Sequence, residues 1–369
     1  MDTSDPDIEF DSDGVCNHCK DYDRTVLKRV PEGEEALQQL QTIINTIRRE
    51  GAGKRYDCVI GVSGGVDSTY VAKKVKEFGL RPLTIHLDNG WDSEIAVSNI
   101  ARALNKLGLD LYSFVIDWEE FKDIQRSFLL ASTPDAEIPT DHAIFATLHQ
   151  QAKRIGVRFI ITGLNVRTEM HMPRAWSQGH LDWLYIRSVH RQFGSGHIKT
   201  FPHFGLLEGF LGPSSTYVFV DILNYLNYSK TEALVVLEQE LGWKDYGGKH
   251  HESTYTRWFQ DCYLPRKFGF DKRRAHLSSR VCSGELTREA ALMELQSPPY
   301  PLEQQAADCE YVAKKLGFTV DEFAKIMTAP PRRFEEFPSY AKWARSGYYK
   351  AALQVWRVLK YRILRRSPA

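Results

Sequence analysis

The sequence contains no long apolar run and almost no excess of charge of one sign. No segment approaches the roughly 20 consecutive apolar residues that a membrane-spanning helix needs. Its 48 lysines and arginines against 47 aspartates and glutamates leave a net charge of +1, which gives no global attraction to nucleic acid. The acidic start of the chain does not resemble a secretory signal, and six cysteines do not form a disulfide framework in a chain this long. These absences predict a cytoplasmic protein without a transmembrane segment.

Two common nucleotide-binding motifs are absent as well. The chain has no Gly-x-x-x-x-Gly-Lys-Ser/Thr string, which excludes a kinase-type phosphate loop. It also lacks a Gly-x-Gly-x-x-Gly dinucleotide fingerprint, because Gly194-Ser195-Gly196 has no third glycine and no predicted strand leads into it.

Short apolar segments alternate with amphipathic ones from Tyr56 onward. The strands that this pattern predicts are 57–62, 81–87, 110–116, 157–162 and 216–222. The helices that it predicts between the first four strands are 66–79, 92–108, 119–131 and 141–156. Such alternation predicts an α/β fold with a parallel sheet and helices on both faces. Ligands of such sheets bind beyond the carboxyl ends of the strands.

The chain as a whole divides into four predicted regions. They are a turn-rich leader at 1–25, a helical linker at 26–55 with a helix over 33–50, the α/β domain at 56–228, and a mainly helical domain at 229–369. Residues 163–215 show no sustained period and are rich in glycine, histidine, tryptophan and arginine. So long an irregular stretch is an active-site loop or a disordered insert, and its aromatic content favours the active-site loop.

A glycine-rich string follows the first strand. Ser63-Gly64-Gly65-Val66-Asp67-Ser68-Thr69 leads from the buried segment 57–62 into an amphipathic helix. The glycines let the backbone approach an anion, and the N–H groups and dipole of the helix start face that anion. Ser63, Ser68 and Thr69 can add hydroxyl donors, whereas Asp67 orders the loop, caps the helix or holds a magnesium ion. A turn without a ligand would explain two glycines but not the full string, so we predict a phosphate-binding loop.

The string Ser-Gly-Gly-x-Asp-Ser resembles the motif of the ATP pyrophosphatase-loop superfamily, which includes asparagine synthetase, GMP synthetase and tRNA thiolation enzymes. The resemblance implies an adenine nucleotide alpha-hydrolase-like fold and the cleavage of ATP, with Mg²⁺, to AMP and pyrophosphate. It also implies that His86 and Asp88 meet the adenosine and that Gly163 and Asn165 form the far wall of the nucleotide site. Asp88-Asn89-Gly90 is also an ordinary turn sequence, so both interpretations stand.

Four further strings narrow the resemblance. They are the leader from Met1 to Cys19, Gly163-Leu164-Asn165 with Glu169, the segment Gly247 to Ser253 (GGKHHES) and the segment Leu264 to Arg274 (LPRKFGFDKRR). With the loop, they resemble the N-acetyl sugar amidotransferases of the WbpG type, over residues 1 to about 295. The resemblance implies a UDP-linked acetamido sugar of lipopolysaccharide or O-antigen biosynthesis as substrate, whose amide oxygen is adenylated before ammonia displaces AMP. A separate glutaminase of the histidine-biosynthesis type would supply the ammonia.

Several basic residues follow residue 248. Their positive charges could bind the diphosphate of a nucleotide sugar and stabilise the charge that develops on a transferring phosphoryl group. They are Lys249, Arg257, Arg266, Lys267, Lys272, Arg273 and Arg274. At least half of them fit an ordinary solvated helix face equally well. We expect catalytic roles for Lys267 and Lys272, together with Asp67 and Glu169. His250 and His251 are either an acid–base pair or a surface pair.

Cys16 and Cys19 have the spacing of half a zinc ribbon. The family pattern carries a second Cys-x-x-Cys just before the position of Met1, so two ligands are missing from this chain. Zinc binding would then require Cys262 or Cys282 to complete the site, and without them we expect residues 1–25 to be poorly restrained.

The end of the chain, from Phe337 onward, has basic but no acidic residues, interleaved with aromatic ones. Such a tail can pack on its own domain, lie on an anionic membrane surface, dock the glutaminase or bind RNA. Two other functions compete with the amidotransferase: a tRNA thiolase of the same superfamily, and an inactive scaffold for a glutaminase. The intact loop argues against the scaffold.

Overall fold

The computed structural model describes residues 1–205, 217–248 and 250–345. Its strands are β1 (Cys58–Gly61), β2 (Pro82–Asp88), β3 (Leu111–Val115), β4 (Phe159–Thr162) and β5 (Val218–Asp221). They form one sheet in the order β3-β2-β1-β4-β5, and every neighbouring pair is parallel. The predicted strands and the parallel α/β sheet are therefore confirmed.

Helices cover both faces of this sheet. The helices of the first half are α1 (Asn17–Arg29), α2 (Gly33–Glu50), α3 (Val66–Glu77), α4 (Glu94–Leu107), α5 (Trp118–Leu130) and α6 (Ile138–Ile155). Cys58 and Ile60 of β1 pack with α2, α3 and α4. Val59, which points to the opposite face, packs with Leu148 and Ala152 of α6. The sequence produces these helices with ordinary caps, since Ser93 and Asp117 accept hydrogen bonds at the starts of α4 and α5.

Two regions differ from the prediction. The stretch 163–215 contains α7 (Val166–Glu169) and α8 (Trp183–Phe193), so it is not irregular throughout. Asp182 caps α8 by accepting a hydrogen bond from the backbone N–H of Tyr185. The leader is not merely turn-rich either, because α1 begins at Asn17 within it.

The described part of the second half is mainly helical, as predicted. Its helices are α9 (Lys230–Val236), α10 (Thr254–Trp258), α11 (Leu264–Phe268), α12 (Lys272–Cys282), α13 (Arg288–Gln296), α14 (Leu302–Leu316), α15 (Val320–Thr328) and α16 (Tyr340–Arg345). A π-helical turn, Phe259–Tyr263, joins α10 to α11, and another, Leu237–Leu241, extends α9. No helix among the described residues is long and apolar enough to cross a membrane. Most of the basic tail, residues 346–369, lies outside the described part.

One aromatic core joins the two halves. Phe121 and Phe128 of α5 and Tyr185 of α8 share it with Trp258 and Phe259 from the second half. The helical part therefore packs on α5 and α8. In the chain, α5 comes after the carboxyl end of β3, and α8 comes after that of β4.

Candidate nucleotide site

The turn between β1 and α3 is the predicted phosphate-binding loop. Gly64 has a left-handed backbone (φ 80°), and a Cβ added there would lie 2.6 Å from the carbonyl oxygen of Ala96, so only glycine fits. The Ser68 hydroxyl accepts a hydrogen bond from the N–H of Ser63 at 3.2 Å. The Ser63 hydroxyl accepts one from the N–H of Gly65 at 3.3 Å. These bonds hold the loop around the N-terminus of α3, where backbone N–H groups favour an anion.

Asp67 lies in the first turn of α3 and accepts a hydrogen bond from the phenol of Tyr228. Burial and then the charge of Asp67 raise the pKa of Tyr228, which therefore remains a donor. Thr69 is buried, and its hydroxyl donates to the carbonyl of Gly65 at 2.7 Å. It shapes the loop from inside, and its contact with phosphate stays a prediction.

The end of β4 meets the start of α3, as the sequence predicted. A Cβ on Gly163 would lie 3.3 Å from the backbone carbonyl carbon of Asp67. Asn165 is buried and caps α7, and its N–H donates to Glu169 Oε2 at 3.4 Å. The negative charge of Glu169 contributes to the raised pKa of Tyr228. Glu169 and Asp67 therefore share one neighbourhood at this edge of the sheet.

The predicted adenosine side lies at the end of β2. His86 is buried, with Nδ1 at 2.9 Å from the carbonyl oxygen of Val62 and Nε2 at 3.2 Å from Asp92 Oδ2. Burial opposes a charge on this ring, but Asp92 and the Val62 carbonyl outweigh it and raise the pKa of His86. Asp88 accepts a hydrogen bond from the N–H of Gly90 at 2.9 Å, so the turn interpretation of this string holds in the structure. A role of His86 and Asp88 toward adenosine stays a prediction.

Glu252 is a residue of this site that the sequence did not single out. Its Oε1 would lie 3.5 Å, and the hydroxyl of Tyr246 3.3 Å, from a Cβ placed on Gly65. Burial opposes the charge of Glu252, but His250 outweighs it and lowers the pKa of this carboxyl. Oε2 is buried and has no hydrogen-bond partner. An ionised carboxylate with an unpaired oxygen therefore faces a loop built for an anion.

Hydrogen bonds to the backbone hold Glu252 and the residues before it against the phosphate-binding loop and the start of α4. The indole N–H of Trp243 donates to the carbonyl of Gly64 at 2.9 Å. The side chain of Asn99 donates to the carbonyl of Lys244 at 2.8 Å and accepts from its N–H at 2.9 Å. The N–H of Ser93 donates to the carbonyl of Glu252 at 2.8 Å. Residues 243–248 and 250–252 thus form one wall of the site.

The residues present fit a magnesium ion that is bound mainly through phosphates. Burial, followed by the charges of Glu252 and Asp67, raises the pKa of Tyr246, so the two carboxylates share one neighbourhood. Mg²⁺ prefers one or two carboxylates together with substrate phosphates. Within residues 1–205, 217–248 and 250–345, no group of three or more histidine, cysteine, aspartate or glutamate side chains is placed to hold a metal by itself. Mg²⁺ would stay at this site only together with the nucleotide.

Lys267 caps a helix in the structure. Its ammonium donates to the carbonyl of Ile326, and to that of Ala329 at 3.0 Å, at the C-terminal end of α15. Burial lowers the pKa of Lys267 to about 8. Its predicted catalytic role is untested.

Lys272 belongs to a buried cluster of charges that the sequence did not predict. Its Nζ lies 3.2 Å from Glu137 Oε2. His180 lies nearby, with Nε2 at 3.7 Å from Asp135 and 3.5 Å from Asp141. Burial opposes the charge of His180, but Asp135 and Asp141 outweigh it and raise its pKa to about 9. The catalytic role of Lys272 stays a prediction.

Most of the other basic residues after position 248 form ion pairs. Arg257 pairs with Asp308, Arg273 with Asp271 and Arg274 with Asp2. His251 lies 2.8 Å from Asp261. Lys249 lies outside the described residues. The structure thus gives much of this basic segment internal partners.

The leader is packed onto α12, and the condition for a poorly restrained leader is not met, because Cys282 lies next to Cys19. The amino group of Met1 donates to Ser278 Oγ at 2.5 Å. Tyr22 donates to the carbonyl of Arg167 at 2.9 Å and stacks on His171, with ring centroids 5.3 Å apart.

Cys16 and Cys19 have their Sγ atoms 3.5 Å apart. Burial, followed by Cys16 and Cys282 as neighbours, raises the pKa of Cys19 to about 12. Cys282, on α12, therefore reaches the leader pair, whereas Cys262 pairs with Cys309 instead. No metal group is found among the described residues, so a zinc site is not supported.

A parallel sheet in the order β3-β2-β1-β4-β5, with a Ser-Gly-Gly-Val-Asp-Ser loop at the end of its central strand, defines the ATP pyrophosphatase-loop class with an adenine nucleotide alpha-hydrolase-like fold. Residues 252–350 match the family described as "LPS biosynthesis protein WbpG-like, C-terminal domain". The WbpG-type resemblance is therefore confirmed, and it is carried by this segment, which is similar to a WbpG-like C-terminal domain. The match extends well beyond residue 295, where the motifs suggested that the resemblance faded.

The chain is also similar to individual proteins. It is 24% identical over 301 residues to an uncharacterized protein, MJ1599, of Methanocaldococcus jannaschii, with 80% of this chain and 90% of the relative covered. It is 29% identical over 119 residues to the tRNA-specific 2-thiouridylase MnmA of Listeria monocytogenes, with 28% of this chain and 32% of the relative covered.

Among solved structures, the NMN synthetase of Francisella tularensis aligns with 12% identity and a TM-score of 0.36, covering 69% of this chain and 95% of that one. The NH3-dependent NAD synthetase of Campylobacter jejuni aligns with 12% identity and a TM-score of 0.34, covering 80% and 98%. Likeness at this level does not bear on function.

Proposed function

We propose that this chain is an ATP-dependent, AMP-forming amidotransferase that converts an acetamido group of a UDP-linked sugar into an acetamidino group. The observation that carries the proposal is the placement of Glu252, the first residue of the WbpG-like domain, against Gly65 of the phosphate-binding loop. A residue of the family-specific segment thereby contributes to the ATP site. We place the reaction in the cytoplasm and in surface-glycan synthesis, such as that of lipopolysaccharide O-antigen.

The chemistry needs activation because an amide carbon is a poor electrophile and its oxygen is a poor leaving group. The amide oxygen attacks the α-phosphorus of ATP, the bond from that phosphorus to the bridging oxygen breaks, and pyrophosphate leaves. Ammonia then adds to the activated carbon, and AMP departs with the former amide oxygen. Mg²⁺, when bound, neutralises charge that develops on the leaving pyrophosphate.

The residues of the site divide these tasks. Backbone N–H groups of Gly64 and Gly65 and the hydroxyls of Ser63 and Ser68 would hold the pyrophosphate at the start of α3. Asp67, oriented by Tyr228, and Glu252, oriented by His250, would hold the magnesium. Their carboxylates are already positioned before the nucleotide arrives, so little reorganisation is needed.

Other residues are candidates for binding the sugar nucleotide, and a partner protein is the candidate source of ammonia. Glu169, Lys267 and Lys272 are the candidates for contacts with the sugar nucleotide and the reacting amide. Ammonia would come from a separate glutaminase of the histidine-biosynthesis type. The basic tail beyond residue 345 is the candidate contact with that partner or with an anionic membrane.

The test is to incubate the protein with ATP, Mg²⁺, ammonium and a panel of UDP-acetamido sugars. We expect AMP, together with a sugar product whose mass differs by the exchange of O for NH. Ser63→Ala should lower both products about a hundredfold or more, whereas Glu119→Gln, at a side chain that is 79% exposed, should leave them unchanged. AMP that forms without any change in a sugar would contradict the proposal.

A tRNA thiolase is the second candidate, and the partial match to a tRNA-specific 2-thiouridylase is the observation that favours it. It would release AMP only with tRNA and a sulfur donor. The same assay with tRNA and sulfide in place of sugar and ammonium separates the two functions.

A further inference from the structure

Two cysteines face each other away from the phosphate-binding loop. Cys262 lies in the π-helical turn Phe259–Tyr263 and is 1% exposed, whereas Cys309 lies on α14 and is partly exposed. Their Sγ atoms are 3.4 Å apart. The indole N–H of Trp258 also points at Cys309 Sγ, at 3.2 Å. The pair belongs to two different helical segments, so it is a tertiary contact.

The surroundings of the two sulfurs differ in a way that favours chemistry at one of them. The hydrogen bond from Cys262 is the largest influence on Cys309, and with Trp258 and Arg266 it lowers the pKa of Cys309 to about 6. The hydrogen bond with Cys309, followed by burial, raises the pKa of Cys262. Deprotonation is therefore favoured at the more exposed sulfur, Cys309, over the buried Cys262. A partly exposed thiolate beside a cation is the usual setting of a reactive cysteine.

The same π-helical turn is connected to the nucleotide site. Asp261, next to Cys262, has Oδ2 at 2.8 Å from Nε2 of His251. Tyr300 packs on the ring of His251, with centroids 5.6 Å apart. His251 directly precedes Glu252, whose carboxylate lies against Gly65. A displacement of Cys262 would therefore reach the wall of the nucleotide site through His251.

We propose that Cys309 and Cys262 are a peroxide-sensitive pair, in which Cys309 is oxidised first, Cys262 closes a reversible disulfide, and closure loosens the Glu252 side of the nucleotide site. In the first step the Cys309 thiolate attacks a peroxide oxygen and breaks the O–O bond, which gives a sulfenic acid and hydroxide. In the second step the Cys262 sulfur attacks the sulfenic sulfur. The S–O bond of the sulfenic acid breaks, and the hydroxide that leaves combines with the Cys262 proton as water, while the hydroxide of the first step passes to solvent. A thiol reductant reverses the disulfide by exchange.

Closing this bond requires one of the two segments to move. A disulfide has an S–S distance of about 2 Å, whereas the two sulfurs are 3.4 Å apart. Val312 and Leu316 of α14 and Phe259 and Tyr263 of the turn all lie in the aromatic core, so closure disturbs packed side chains on either segment. Disulfides in cytoplasmic proteins are usually transient and redox-sensing.

Cys16 and Cys19 provide a control within the same molecule. Their sulfurs are 3.5 Å apart, nearly the same separation, but burial raises the pKa of Cys19 to about 12. That thiol therefore stays protonated at neutral pH and should react slowly. The nearly equal spacing of the two pairs makes the leader pair a control for proximity alone.

The experiment treats the full chain with hydrogen peroxide at neutral pH, blocks the remaining thiols and maps the peptides by mass spectrometry. We expect a Cys262–Cys309 cross-linked peptide that thiol reductant removes, formed well before any Cys16–Cys19 disulfide. Cys262→Ser should leave a sulfenic acid on Cys309 that dimedone traps, which tests the order of the two steps. Oxidation of the leader pair first, or trapping on Cys262 in a Cys309→Ser variant, would overturn the proposal.

A second measurement tests the connection to the nucleotide site. Calorimetry of Mg-ATP binding to the reduced and the oxidised protein should show about tenfold weaker binding after oxidation, as expected for a lost hydrogen bond to a charged group. Cys262→Ser should bind ATP equally well with and without peroxide. Identical affinity of the reduced and oxidised wild-type protein would refute the connection, independently of whether any sugar is a substrate.

Discussion

Replacing Gly64 by alanine tests the architecture of the phosphate-binding loop most directly. Gly64 has φ 80°, and the new Cβ would lie 2.6 Å from the carbonyl oxygen of Ala96 and 3.0 Å from its carbonyl carbon. Both atoms belong to the backbone of α4 and cannot turn away as a side chain could. The loop would have to move, and its movement would break the hydrogen bond from Trp243 to the Gly64 carbonyl.

The magnitude follows from two contributions. A left-handed conformation costs a residue with a Cβ roughly 1–2 kcal/mol, and a buried carbonyl that loses its partner costs about 1–3 kcal/mol more. Gly53→Ala is the matched control, because Gly53 has φ 76° but nothing within 4 Å of the added Cβ. The control therefore carries only the conformational cost.

The assay compares chemical unfolding and ATP binding of the two variants. Gly64→Ala should lower the free energy of unfolding by about 1–3 kcal/mol more than Gly53→Ala does. It should also lose ATP binding in calorimetry, whereas Gly53→Ala keeps it. If Gly64→Ala binds ATP like the wild type, the loop does not hold the phosphates.

Four further outcomes are expected. Ser63→Ala and Asp67→Ala should each lower AMP formation about a hundredfold or more, with an unchanged circular dichroism spectrum; AMP formation that survives in both would show that the loop is misassigned. Glu252→Gln should weaken binding of Mg-ATP more than that of ATP in chelator, with Glu119→Gln as the unaffected control. Ammonium at high concentration should support turnover by the purified chain and glutamine should not, because no glutaminase nucleophile is recognised in the sequence; glutamine-dependent AMP formation would contradict this. Since its partners raise the pKa of His180 to about 9, its charge should stabilise the fold fully below about pH 6.5. That stabilisation should disappear as the pH rises through 9, and His180→Gln should remove this part of the pH dependence of unfolding.

The strands and the phosphate-binding loop could be predicted because their signals are local. The apolar segment 57–62 and the glycines that follow it specify a strand, a turn and a helix within a dozen residues or so. The resemblance to the superfamily implied a place for Gly163 at the nucleotide site, and the structure puts Gly163 next to Asp67. These inferences needed no knowledge of distant contacts.

Glu252 and Tyr228 could not be found in this way. Each is remote in sequence from the loop that it contacts, and no periodicity or spacing relates them. The string GGKHHES did contain a signal, but it drew the interpretation to the two histidines rather than to the carboxylate beside them. The contacts that hold the leader are equally remote in sequence, because Met1 bonds to Ser278 of α12 and Tyr22 to the carbonyl of Arg167 in α7.

The indole of Trp243 has a consequence for how the chain can be divided. It satisfies a carbonyl of the phosphate-binding loop, and the nearby Asn99–Lys244 bonds join α4 to the same segment. A fragment ending near residue 228 would leave the Gly64 carbonyl without its hydrogen-bond donor and would expose Gly65 to water. The ATP-binding half is therefore not a separable module that could be combined with a new substrate domain. Any descendant of this protein that changed its helical half would have had to rebuild the nucleotide pocket at the same time.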